Sequence, residues 1–158
     1  ATQTEEPSYG AWVEQGATTL WEHWGGGASL NHIMFGDISA WFYQKLAGIN
    51  VDPEHPGFKR FVIRPRPVGD LTWVRAHHDS PYGRIESGWS RSSGKFTLDV
   101  TVPPNTTATV WIPDAAGMEV LEDGQSVSSV GAVRQLESQE GAAVFEVGSG
   151  TYHFAVKK

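Results

Sequence analysis

At 158 residues, with 39% hydrophobic and 19% charged side chains, the chain is globular in composition and long enough to bury a core. Eighteen acidic against 12 basic residues leave a net charge of −6, which excludes partners recognised by clustered lysine and arginine, namely nucleic acid and anionic membrane surfaces. Cysteine is absent, so disulfides, thiolate metal sites and thiol nucleophiles are excluded as well.

The opening, "ATQTEEPSYG", is polar and acidic, unlike a signal peptide, and no apolar run reaches the roughly 20 residues of a membrane helix. The compartment stays open between bacterial cytoplasm and a secreted or periplasmic location. "YGAWVEQGA" predicts a short helix bracketed by Gly10 and Gly16. After "TLWEHWGGGA", Ser29 is the expected N-cap of a helix of about four to five turns. Ile33, Met34, Ile38, Trp41, Phe42, Lys45 and Leu46 recur on it at helical spacing, and Gly48 is its stop. Without a cover, the stripe of Met34, Ile38, Trp41 and Phe42 is a route to oligomers.

"NVDPEHPGFK" punctuates the chain, and beyond it the period changes to two. "KFTLDVTVP" sends Phe96, Leu98, Val100 and Val102 to one face, and "TATVWIP" does the same with Ala108, Val110 and Ile112. Further strands are expected at 59–64, 71–78, 83–91, 118–121, 133–137, 142–147 and 151–157, between turns such as "SPYG", "PPNT" and "EDG". Roughly eight or nine such strands predict a mainly β chain closed as an antiparallel β-sandwich. The division is therefore residues 1–57, helical, and residues 58–158, the sandwich.

Glu22, between Trp21 and Trp24, is the sharpest candidate for chemistry. A carboxylate beside indole rings suits general acid or base work, and aromatic walls suit a sugar subsite; a solvated loop glutamate near two core tryptophans is the plain alternative. His32, close to the expected helix start, is placed to meet a ligand hydroxyl or else to serve in packing. "RAHHDS" offers His77, His78 and Asp79, but neighbours on a strand face opposite ways and no third ligand stands at a telling spacing, so no metal site is expected. No cofactor is expected. "NTT" at Asn105 is a formal glycosylation acceptor and otherwise a turn.

"GATTLWEHW", "LNHIMFGDISAWFYQKLAGI", "HPGFKRFVIRPRP" and "SPYGRIESGW…FTLDVTVPPNTTATVWIP" together resemble the C-terminal portion of bacterial-type α-L-rhamnosidases of glycoside hydrolase family seventy-eight. The resemblance implies an (α/α)6 helical barrel followed by a C-terminal β-sandwich, so that residues 1–57 are the last one or two helices of an incomplete barrel. It implies that Glu22 is the general base of an inverting hydrolysis, that His32 contacts rhamnose and that Trp21 and Trp24 wall the subsite. The general acid implied by the family lies in an Asp/Arg/Glu-rich barrel motif missing from this sequence. Members usually place a longer polar insertion where "GGGASL" stands here, and an Arg where His23 stands. The expected function is thus a C-terminal segment of a rhamnosidase, inactive alone. Its expected partners are a rhamnose-containing glycoside or polysaccharide and the remainder of the barrel, on the same or a separate chain. The alternative is a non-catalytic carbohydrate-binding or structural β-sandwich module, for which Trp73, Trp89 and Trp111 are the candidate exposed aromatics.

Overall fold

Alternation of apolar and polar residues builds most of the molecule. The computed structural model describes residues 3–157, which divide into two units, the first ending at Trp41 and the second beginning at Phe42. The second unit carries eleven strands: β1 (Ile49–Val51), β2 (Arg60–Ile63), β3 (Trp73–Ser80), β4 (Gly83–Ser92), β5 (Lys95–Val102), β6 (Thr107–Ile112), β7 (Val120–Glu122), β8 (Gln125–Ser126), β9 (Val133–Gln135), β10 (Ala143–Val147) and β11 (Gly150–Lys157). They form a five-stranded sheet, β1-β2-β6-β10-β9, and a six-stranded sheet, β3-β4-β5-β11-β7-β8.

The expected strands are present, with two additions. β1 and β8 are three and two residues long, too short to show a period, and pairing with β2 and β7 defines them. The boundary read at residue 57 therefore falls after β1, which belongs to the first sheet. One pair departs from the antiparallel expectation: β2 runs parallel to β6, with Phe61 opposite Ala108 and Ile63 opposite Val110.

Inward residues of both sheets close one core. Phe61, Val110 and Phe145 come from the first sheet, and Trp89, Leu98 and Phe154 from the second. The Phe145 and Phe154 rings stack across the sheets with centroids 5.9 Å apart. Burial of these side chains is the main stabilising term, at about 1.5–3 kcal/mol each. Trp89 corrects its reading as an exposed aromatic. It is 2% exposed, and its indole Nε1 donates to the Leu46 carbonyl at 2.7 Å. Beside it on β4 the buried Ser87 hydroxyl donates to the Ala47 carbonyl at 2.6 Å. These two carbonyls end a helix and lack intrahelical partners, so β4 satisfies them from the side. Trp73 and Trp111 lie on different sheets, and the Arg64 guanidinium sits 4.0 Å from the Trp111 ring centre.

The single helix expected from Ser29 to Leu46 is instead three pieces. A 3₁₀ turn covers Ile33–Phe35, α-helical residues Ile38–Trp41 end the first unit, and a wide π-helix, Phe42–Ala47, opens the second. Gly36, interior to the expected helix, costs about 1 kcal/mol there relative to alanine and takes the C-cap of the 3₁₀ turn. The stripe is correspondingly broken: Met34 is exposed, Ile38 is half-buried, and Trp41 and Phe42 fall in different units. Gly48 keeps its role as the stop, at φ +81°.

In the first unit, α1 (Tyr9–Glu14) is the short helix expected around "YGAWVEQGA". The Ser8 hydroxyl caps it by accepting from the Ala11 N–H at 3.0 Å, and it buries Ala11 and Trp12.

Candidate functional site

Trp12 organises the surroundings of the candidate residues. It is 2% exposed, and its ring lies 4.6 Å from Trp24, 5.6 Å from Trp21 and 5.6 Å from Phe35. Its Nε1 donates to the Trp24 carbonyl at 2.7 Å, and the Tyr9 hydroxyl donates to the Phe35 carbonyl at the same distance. Trp24 packs between Trp12 and Phe35, the latter at 4.4 Å. Trp21 is half-buried, with Gly26 over its ring: a Cβ there would stand 3.1 Å from the indole, and φ is +67°. A side chain at 26 would push Trp21 aside.

On this platform the segment from Thr19 to His32 folds back on itself. The His32 N–H donates to Leu20 O at 2.8 Å, the Glu22 N–H donates to Ser29 O at 2.9 Å, and Gly26 N–H closes the tip on His23 O at 3.0 Å. The Thr19 hydroxyl donates to Leu30 O. Glu22 and His32 are thus carried by the two facing limbs of one loop.

Glu22 is half-buried, and its Oε2 accepts from the Ser29 N–H at 3.1 Å. Among the described residues Oε1 has no hydrogen-bond partner. One oxygen is anchored by a charge-assisted bond and the other remains available as an acceptor, which is the arrangement a general base requires. Ser29 therefore serves Glu22 and its own loop instead of capping a helix; its hydroxyl accepts from the Asn31 N–H at 3.2 Å.

His32 takes the N-cap position expected of Ser29. Its Nδ1 accepts from the Met34 N–H at 3.1 Å. In the neutral ring this bond places the proton on Nε2, so the exposed imidazole presents a donor to whatever lies beyond it. Sequence reasoning missed Trp12, Tyr9 and Phe35 as the support of the site. The signal available was the tryptophan within "YGAWVE", the largest apolar side chain of a two-turn helix and the one it buries.

Of the other candidates, His78 is half-buried against the Phe58 ring at 4.4 Å, while His77 and Asp79 are on the exposed face of β3. Asp79 pairs with Arg84, which holds its carboxyl below the usual range. Asn105 takes φ +60° in the turn before β6.

His153 has its pKa raised above the ordinary 6.5, chiefly by its hydrogen bond to Asp99 at 2.9 Å. Stability from this pair is complete below the unfolded value and is lost as pH rises through the higher folded value. Both side chains are more than half exposed, so screening keeps the effect small. Melting temperatures of the wild type and His153→Gln should differ slightly near about pH 5.5 and converge by about pH 8.5. A gap that widens with pH would contradict this.

Two family models match the chain. Residues 1–46 match the bacterial α-L-rhamnosidase six-hairpin glycosidase domain, and residues 48–126 match the bacterial α-L-rhamnosidase C-terminal domain. The chain belongs to the bacterial α-L-rhamnosidase family. An α-L-rhamnosidase of Streptomyces avermitilis is 38% identical over 95% of this chain, and one of Formosa agariphila is 32% identical over 96%. The chain spans only 15% and 17% of those rhamnosidases. The solved α-L-rhamnosidase of Dictyoglumus thermophilum superposes on all of this chain with a TM-score of 0.82 at 35% identity, using 18% of its own length. The Streptomyces avermitilis α-L-rhamnosidase, solved in complex with L-rhamnose, gives 0.80 over 98% of this chain and 15% of its own.

Proposed function

We propose that this chain supplies the general base and part of the sugar subsite of an inverting α-L-rhamnosidase acting on terminal α-L-rhamnosides. The observation that carries this reading is the state of Glu22, with one carboxylate oxygen anchored by Ser29 and the other without a partner among the described residues, on the same loop as the exposed imidazole of His32.

In an inverting hydrolysis one carboxylate removes a proton from water on the face opposite the leaving group, while a carboxylic acid about 6.5–9.5 Å away protonates the glycosidic oxygen. Glu22 Oε1 takes the water proton. His32 Nε2–H donates to a sugar hydroxyl and so fixes the ring. Trp21 lines the same subsite, and Trp24, held between Trp12 and Phe35, keeps the loop in place. The acid comes from barrel sequence outside these 158 residues, in the same or another chain. Residues 1–47 contribute the end of the barrel, and the sandwich begins with β1.

The 158-residue chain alone should therefore not turn over an aryl α-L-rhamnoside. Release of the aryl group by the pure chain at more than the buffer rate would refute the division of the two carboxylates. The axial or equatorial configuration of the first-formed rhamnose, read by proton NMR on a complete enzyme carrying this segment, tests the stereochemistry.

A further inference from the structure

The outer face of the six-stranded sheet holds a polar groove on the unit that does not carry Glu22. Strand register sets Arg75, Gly88, Asp99 and His153 side by side, with His77 and Glu86 in the next row. Gly88 leaves a gap between its neighbours, and a groove of about 350 Å³ lies there, within the size range of small-ligand sites. A second hollow shares Arg75, Gly88 and Asp99 with the first and extends it to Trp73, which is 63% exposed.

The groove is built from donors and acceptors in near balance. Arg75 and His77 make no hydrogen bond or ion pair among the described residues. Asp99 uses one oxygen on His153 Nδ1, and Glu86 uses one on the Thr101 hydroxyl at 3.0 Å. Each carboxylate keeps its other oxygen. A phosphate or polyanion would meet two carboxylates here, and a cationic ligand would meet an unpaired guanidinium. A neutral molecule with several hydroxyls satisfies both kinds of group, and the flat face of Trp73 accepts an apolar ring surface.

We infer that this groove binds a neutral saccharide unit, with Trp73 stacked on the C–H face of the pyranose and Arg75, Glu86 and Asp99 bonded to its hydroxyls. Two substitutions separate binding from folding. Trp73→Ala removes an exposed ring. Gly88→Gln fills the trough, and the strand tolerates it, because a Cβ at 88 meets the Arg75 side chain at 3.4 Å and the Val74 carbonyl oxygen at 3.9 Å, both ordinary contacts.

The test is titration of the ¹⁵N-labelled 158-residue chain with methyl α-L-rhamnoside, methyl β-D-galactoside and inorganic phosphate. One or both glycosides should give saturable shifts at the amides of 73–77, 86–90 and 97–101, and phosphate should give none. Both variants should keep the wild-type far-ultraviolet spectrum and bind at least about tenfold more weakly. No response to either glycoside, a response to phosphate alone, shifts confined to residues 20–32, or wild-type binding by both variants would each overturn the inference.

Discussion

Replacing Glu22 by glutamine in a complete rhamnosidase that carries this segment should lower kcat by about 10²–10⁴-fold, the usual contribution of a positioned general base. Glutamine is the informative choice because its side-chain oxygen still accepts from the Ser29 N–H, so the loop keeps its shape while a non-basic amide NH2 replaces the second oxygen. KM should change little. Glu22→Ala removes the anchor as well and leaves room for a small nucleophile, so azide should restore part of its rate. Steady-state kinetics of both variants, with and without azide, decide the matter: a nearly normal kcat for Glu22→Gln would remove Glu22 from the mechanism. Loss of KM alone would make it a binding residue.

Trp89 carries the largest expected effect on stability. It is almost fully buried, stacks on Phe96 with centroids 6.2 Å apart, and ties β4 to the Leu46 carbonyl. Trp89→Ala should cost the sandwich about 3–5 kcal/mol, from lost burial and the cavity left behind. Trp89→Phe retains much of the apolar volume and strands the carbonyl, at a cost of about 1–3 kcal/mol. Urea denaturation of the chain, followed by circular dichroism, measures both. If Trp89→Phe matched the wild type, the bond to Leu46 would contribute nothing to stability.

The same tryptophan shows where local pattern fails. On β4 the inward positions are Ile85, Ser87 and Trp89, and a serine among them hides the alternation. Ser87 is buried because it has an acceptor waiting on Ala47, a contact forty residues away in sequence. β5, by contrast, was legible from end to end, since Phe96, Leu98, Val100 and Val102 face the core without interruption. The helix read from Ser29 to Leu46 had the right apolar spacing, yet spacing does not register that His32 Nδ1 caps a new turn or that Gly36 ends it. In the candidate site, the tryptophan neighbours and the resemblance to the family motif singled out Glu22 for the proposed role. The Ser29 bond that leaves one oxygen available was not legible, because it depends on how the glycine loop closes.

What the sequence determined by itself was the class of the strongly patterned segments: half-buried strands where period two persists, a short helix around Trp12, and a family motif centred on Glu22. Those features are local, set by the alternation of side chains along a strand or by a few adjacent residues. Tertiary structure alone decided the parallel pairing of β2 with β6, the membership of β1 and β8, the burial of Trp89, and the gap at Gly88 beside Arg75 and Asp99. Each of these depends on partners distant in sequence, whose contacts exist only once the sheets have paired and packed.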